Sequence, residues 1–92
     1  MSASSDLRVE RVARLPEDVA LHARPAGALV RAASSFAADV FVSANGRRAN
    51  AKSILDILSL GAEGGVELVI DASGDDAAAA AEQLALLVPS LD

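Results

Sequence analysis

The segment DVFVSANGRRANA, residues 39–51, predicts a β-hairpin and decides the class of fold. Val40 and Val42 alternate with their neighbours, which is typical of a strand with one buried face. The dipeptide Asn45-Gly46 suits the two positive φ angles of a type I′ turn. Two antiparallel strands are therefore predicted, at residues 39–44 and 47–51.

Patterns on both sides of this hairpin predict two more strands and three helices. Strands are predicted at 7–15 and 66–72, and helices from residue 23 to about Phe36, between Ser53 and Gly61, and from Ala77 to Pro89. Ser53 and Asp56 have the spacing of a capping box, and Ser73-Gly74-Asp75 is expected to form a turn and a helix cap. The order β-α-β-β-α-β-α predicts an α+β two-layer fold, with the helices covering one face of a four-stranded sheet.

Composition limits the chain to one domain and removes several classes of function. With 92 residues, of which 52% are apolar, we expect a single domain over 7–92 after a flexible lead at 1–6. Cysteine is absent, which excludes disulfides and thiolate chemistry. A formal charge of −5 argues against a nucleic-acid partner. No segment predicts a membrane span or a secretory leader, so we expect a cytoplasmic protein. We also expect it to be a monomer.

The single histidine, His22, occurs where the first helix is predicted to begin. Pro25 fixes that start, because a proline in the first turn lacks only an N–H that has no partner within the helix. The free N–H groups of Ala23 and Arg24, at the positive end of the helix dipole, then form a site for a phosphoryl group. The guanidinium of Arg24 can bind the same phosphate oxygens. These residues predict a reversible phosphoryl acceptor at His22.

The residues alone leave a second interpretation open, since a lone histidine is often a surface or core residue without a chemical role. A metal site is disfavoured, because one histidine without cysteine supplies too few ligands. A hydrolase is disfavoured because the chain has no second histidine and no G-x-S-x-G turn. No cofactor is expected.

Three motifs in order resemble the HPr family, the histidine-containing phosphocarriers of the bacterial phosphoenolpyruvate-dependent sugar phosphotransferase system. They are LHARPA at 21–26, Asn45-Gly46, and AKSIL at 51–55 continuing to SLG at 59–61. The resemblance extends over residues 7–88. It implies an open-faced β-sandwich, in which three helices cover one face of four antiparallel strands.

The resemblance also implies roles for three residues. Nδ1 of His22 takes a phosphoryl group from phosphorylated enzyme I and donates it to an enzyme IIA domain, so the chain is a stoichiometric carrier and not a catalyst. Arg24 matches the phosphate-binding arginine of the family. Ser53 matches the serine that HPr kinase/phosphorylase modifies in some bacteria. A serine there also suits a helix N-cap, which explains it without a kinase.

The second predicted helix is apolar all round, which a domain of this size cannot bury completely. Ile57 and Leu60 suit the core, and the remaining apolar residues form a candidate docking patch of Ile54, Leu55 and Leu58. In HPr-like proteins this patch contacts enzyme I and the IIA partners. Five basic residues are expected to surround it, namely Arg24, Arg31, Arg47, Arg48 and Lys52. Phe41 is expected to be exposed on the open side of the sheet.

Two positions depart from the family pattern. Ala20, preceded by Val19, stands where many members have glycine, which predicts a different backbone path before the histidine. Asp56 puts a negative charge in the second helix where members often have Gly or Lys, which predicts an altered choice of partner.

Two other functions share the fold and stay open at this point. One is a regulatory interaction module that carries no phosphate, and the other is an HPr-like carrier for a dihydroxyacetone-kinase or nitrogen-related relay. The presence of both His22 and Arg24 favours a carrier. The sequence does not name the sugar, because that specificity resides in downstream proteins.

Overall fold

The computed structural model describes residues 7–92, so the flexible lead predicted at 1–6 lies outside the described residues. The elements follow the predicted order. They are β1 (Arg8–Arg14), α1 (Ala23–Ser34), β2 (Asp39–Ala44), β3 (Arg47–Asn50), α2 (Ile54–Ser59), β4 (Glu67–Ser73) and α3 (Ala77–Leu87), followed by a 3₁₀ turn at Val88–Ser90. Within residues 7–92, no helix is both long enough and apolar enough to cross a membrane.

The four strands form one antiparallel sheet in the order β1-β4-β2-β3. β2 and β3 are joined by the predicted turn, with φ of 55° at Asn45 and 75° at Gly46. Positive φ at both central residues is what a type I′ turn requires. The hairpin is confirmed, and β3 ends one residue earlier than predicted.

The core lies between the helices and one face of the sheet. Alternate residues of β2 and β4 point into it, as their burial patterns show. The largest fully buried side chains are Leu15, Leu29, Ile57, Leu68, Ile70, Leu84, Val40, Val42 and Val88. Alanines of α1 and α3 are also fully buried, so these helices pack close to the sheet, as the alanine-rich sequence predicts. The predicted open-faced sandwich is confirmed.

The other face of the sheet is open and carries a network of charges. Arg8 of β1 donates two hydrogen bonds to Asp71 of β4, from Nε at 2.9 Å and Nη2 at 2.7 Å. These bonds lower the pKa of Asp71. Arg48 of β3 lies 3.9 Å above the ring of Phe41 and 3.9 Å from the Asp71 carboxylate. Phe41, expected to be exposed, is therefore half-buried beneath Arg48, and Asp71 contacts side chains from both edge strands.

The residue preceding α3 is Asp76, one position later than the predicted cap, and its side chain does not cap its own helix. Its carboxylate accepts hydrogen bonds from the backbone N–H of Ala37 at 2.9 Å and of Ala38 at 2.7 Å. The bond from Ala37 is the main cause that lowers the pKa of Asp76. These bonds hold the connection between α1 and β2 against the start of α3.

Replacement of Asp76 by asparagine is expected to make the protein less stable at neutral pH and less sensitive to acid. Because the pKa of Asp76 is lower in the folded state, its contribution is present above the unfolded value of about 4 and is lost as the pH falls through the folded value. We expect Asp76→Asn to lower Tm by a few degrees at pH 7. The difference from wild type should narrow at acidic pH.

Thermal unfolding by circular dichroism across this pH range measures the effect. Asp75→Asn removes a carboxylate from the same turn without removing any of these hydrogen bonds, and it serves as the control. A constant difference in Tm between Asp76→Asn and wild type at every pH would contradict the assignment.

Candidate functional site

His22 is the N-cap residue of α1, and its side chain is exposed. Its backbone is extended, with φ of −83° and ψ of −172°. The carbonyl oxygen of His22 accepts the first helical hydrogen bond, from Ala26 N–H at 2.9 Å, and its own N–H donates to the carbonyl of Ala20 at 2.8 Å. The backbone of His22 is thus fully used, while no residue within 7–92 forms a hydrogen bond with its imidazole ring.

The next two N–H groups, those of Ala23 and Arg24, begin α1 at the surface. Neither donates to any group between residues 7 and 92. The first turn contains no acidic residue, so no carboxylate of this turn competes for these donors. The Arg24 side chain is exposed and forms no ion pair with another residue in the described chain. Two unengaged N–H donors therefore follow the histidine at the helix start, an arrangement that favours an anion, and the exposed Arg24 adds a positive charge two residues along the chain.

The chain enters this site through residues 16–21, here called the entry loop. The entry loop lies on residues 62–66, here called the support segment. Leu21 is buried, and its N–H donates to the carbonyl of Ala62 at 2.9 Å. Gly65 N–H donates to the carbonyl of Pro16 at 3.0 Å. This support was not predicted from the sequence, because no local pattern indicates that Ala62 and Gly65 lie against the entry loop.

Ala20 does not require the special backbone conformation that glycine provides. Among residues 7–92, Asn45 is the only residue other than glycine with a positive φ. Val19, which precedes Ala20, is partly buried against the core. An alanine at position 20 is therefore accommodated without strain.

The docking patch lies on the outer side of α2. Its members Ile54, Leu55 and Leu58 are 38%, 76% and 37% exposed. Ile57 and Leu60 are buried, so the division of this helix into two faces follows the predicted pattern. An exposed group of three large apolar side chains suits a contact with another protein.

The predicted ring of basic residues around the docking patch is incomplete. Arg47 does lie at α2, where its Nη1 donates to the carbonyl of Ser59 at 3.0 Å. Arg48 instead stacks on Phe41 on the opposite face of the sheet. Lys52 Nζ donates to the carbonyl of Phe36 at 2.8 Å, at the end of α1. The spacing of these residues in the sequence did not predict the contacts of Arg48 with Phe41 and of Lys52 with the end of α1.

Ser53 is the N-cap of α2, and its Oγ accepts a hydrogen bond from Asp56 N–H at 3.3 Å. The second bond of a capping box is absent here, because Ser53 N–H donates to the carbonyl of Asn50 at 3.0 Å. The carboxylate of Asp56 accepts instead from Asn50 N–H, at 3.3 Å. The charge that departs from the family pattern therefore joins α2 to the end of β3.

Comparisons with known proteins identify relatives of this chain in sequence and in fold. Residues 9–90 match the family model described as "PTS HPr component phosphorylation site". The phosphocarrier protein HPr of Streptomyces coelicolor is 48% identical over 69 residues, which cover 74% of each chain. The HPr-like protein Crh of Bacillus subtilis is 43% identical over 68 residues, covering 74% of this chain and 80% of Crh. The crystal structure of HPr from Bacillus anthracis superposes with a TM-score of 0.83 and 38% identity, covering 88% of this chain and 96% of that one.

Replacement of Ser53 by alanine is expected to lower the free energy of unfolding by about 1 kcal/mol, because it removes the N-cap of α2. Urea denaturation at neutral pH measures this loss. Ser53→Asp keeps an acceptor at the cap and should retain most of the stability. Ser34→Ala is the matched control, since that exposed serine ends α1 and its hydroxyl has no hydrogen bond within residues 7–92. Equal stability of Ser53→Ala and wild type would exclude the capping role.

Proposed function

The chain belongs to the HPr family, the phosphocarrier proteins of the phosphotransferase system, and we propose that Nδ1 of His22 is the atom that carries its phosphoryl group. Phosphorylated enzyme I is the proposed donor, and enzyme IIA domains are the proposed acceptors. The observation that carries this proposal is the exposed histidine at the start of α1, next to two backbone N–H groups that no described residue engages.

The proposed transfer exchanges one bond to phosphorus for another. The lone pair of Nδ1 attacks the phosphorus atom, an N–P bond forms, and the bond from phosphorus to the donor breaks with its electron pair leaving on the donor. The N–H groups of Ala23 and Arg24 and the Arg24 guanidinium stabilise the negative oxygens during this exchange. Transfer to the acceptor repeats these steps in reverse, so the carrier is regenerated and the protein acts stoichiometrically.

Partner proteins are proposed to contact the docking patch beside this site. Leu55, at 76% exposure, offers the most accessible apolar surface of the three residues. The nearby cation Arg47 and the free guanidinium of Arg24 would attract acidic residues on a partner and accelerate association. The same proposal takes the protein to be a cytoplasmic monomer and treats Ser53 as a candidate substrate of HPr kinase/phosphorylase.

A regulatory module that carries no phosphate is the second candidate, because one of the relatives is the HPr-like protein Crh. The two functions require different chemistry at His22. A carrier must accept phosphate at this residue and release it to an acceptor, whereas the regulatory module need not. An HPr-like carrier of another relay would share the chemistry and differ in its partners.

Incubation with phosphoenolpyruvate and a general enzyme I, followed by intact mass spectrometry, tests the carrier function. We expect the protein to gain one phosphate that is labile in acid and stable in base, as a phosphoramidate is. His22→Ala should gain none. Absence of any phosphate on the wild-type protein would remove the phosphocarrier role, and a phosphate retained in His22→Ala would exclude His22 as the acceptor.

Two variants should separate the phosphate site from the docking patch in a steady-state assay of transfer from enzyme I. Arg24→Ala removes a charge that stabilises the transferring group, and we expect it to lower kcat by about 100-fold with little change in KM. Leu55→Ala removes contact area and should mainly raise KM. Circular dichroism confirms that both variants fold. Unchanged transfer kinetics in Arg24→Ala would place that residue outside the site.

A further inference from the structure

The support segment approaches the entry loop at Gly64 more closely than any side chain would permit. A Cβ atom on Gly64 would lie 2.0 Å from the carbonyl oxygen of Glu17 and 2.6 Å from its carbonyl carbon. Such distances do not occur in proteins, and backbone atoms cannot rotate away as the end of a side chain can. Gly61 and Gly65 have positive φ angles of 62° and 81°, but Gly64 does not. The role of glycine at position 64 is therefore to leave space for the Glu17 carbonyl, because its backbone does not adopt a positive φ.

We propose that Gly64 is a positioning residue for His22: its lack of a side chain lets the support segment lie against the entry loop and so fixes the backbone that presents the imidazole. This inference rests on the proposed role of His22 in phosphoryl transfer. Gly64 itself contacts no reacting atom, and it acts through the entry loop.

Hydrogen bonds on both sides of the close contact connect Gly64 to the histidine. Two residues before Gly64, the carbonyl of Ala62 accepts a hydrogen bond from Leu21 N–H at 2.9 Å. Directly after Gly64, Gly65 N–H donates to the carbonyl of Pro16 at 3.0 Å. Glu17, whose carbonyl faces Gly64, lies in the loop between these two bonded residues. A Cβ at position 64 would push this carbonyl outward, and at least one of the flanking bonds would lengthen.

The displacement would reach the site because Leu21 directly precedes His22. The bond from Leu21 to Ala62 orients the peptide that leads into the extended N-cap conformation. If this bond lengthens, the imidazole turns relative to the N–H groups of Ala23 and Arg24. Displacement of a reacting group by about 1 Å can slow a reaction by about 100-fold.

The variant Gly64→Ala tests the proposal, with Gly46→Ala as the matched control. A Cβ on Gly46 would meet no atom within 4 Å, but it would occupy a positive φ. The control therefore strains the turn between β2 and β3 without touching the entry loop or the support segment. Two measurements are made on each protein: the rate of amide hydrogen exchange at Leu21, by NMR, and the kcat and KM of phosphoryl transfer from enzyme I.

For Gly64→Ala we expect Leu21 exchange to rise by about 10-fold, since its hydrogen bond is weakened. Its kcat should fall by about 10-fold with KM near the wild-type value, because the docking patch is unchanged. Gly46→Ala should lower Tm while leaving Leu21 exchange and kcat close to wild type. Wild-type exchange and kinetics in Gly64→Ala would overturn the proposal, and so would equal effects of the two variants.

A further variant keeps the proposal testable if Gly64→Ala does not fold. Arg14 is exposed, and its Nη1 donates to the carbonyl of Gly65 at 2.7 Å, which holds the support segment from the side of β1. Arg14→Ala should accelerate Leu21 exchange, though less than a Cβ at position 64, and unchanged exchange would count against the support. The exchange measurement needs no phosphate, so it tests the positioning role even if the wild-type protein accepts no phosphoryl group.

Discussion

One backbone hydrogen bond between distant parts of the chain anchors the residue that directly precedes His22. Leu21 N–H donates to the carbonyl of Ala62 at 2.9 Å, and the buried Leu21 side chain fixes the same residue in the core. A single hydrogen bond contributes about 1 kcal/mol net, and burial of a leucine side chain adds about 2 kcal/mol. Together they make position 21 a fixed point from which α1 begins. The position of His22 is therefore constrained from both sides, because it lies between Leu21 and the first turn of α1.

The helical side and the open side of the sheet carry different groups of residues. The helical side carries the start of α1 and the exposed docking patch, and on the proposed function a partner bound at the patch would reach the histidine. The open side carries Arg8, Asp71, Arg48 and Phe41, whose side chains contact one another across all four strands. The buried faces of α1 and α3 are rich in alanine, which lets these helices pack close to the sheet.

Local signals in the sequence were sufficient for the elements and for the first residues of the site. Asn45-Gly46 fixes its turn through φ angles, and Pro25 fixes the start of α1 through a missing N–H, so neither depends on distant residues. Contacts between segments that are distant in the sequence could not be predicted from these local patterns. Asp76 bonds two N–H groups 38 and 39 positions away, and Gly64 approaches Glu17 across the fold. Arg48 was expected beside the docking patch, although the hairpin register pairs it with Ser43 and so places it on the same face as Phe41.

The starts of α1 and α2 differ in a way that bears on the proposed phosphate site. At α2, the Ser53 hydroxyl already accepts from Asp56 N–H, and the helix is capped by its own side chain. At α1, the N-cap residue is His22, which makes no side-chain cap, although an absent cap costs about 1 kcal/mol. On the proposed chemistry, the phosphoryl oxygens supply the missing acceptors and add about −1.5 to −2 charges at the positive end of a helix. On the same proposal, the stability that α1 lacks without phosphate would be recovered as affinity for the phosphoryl group.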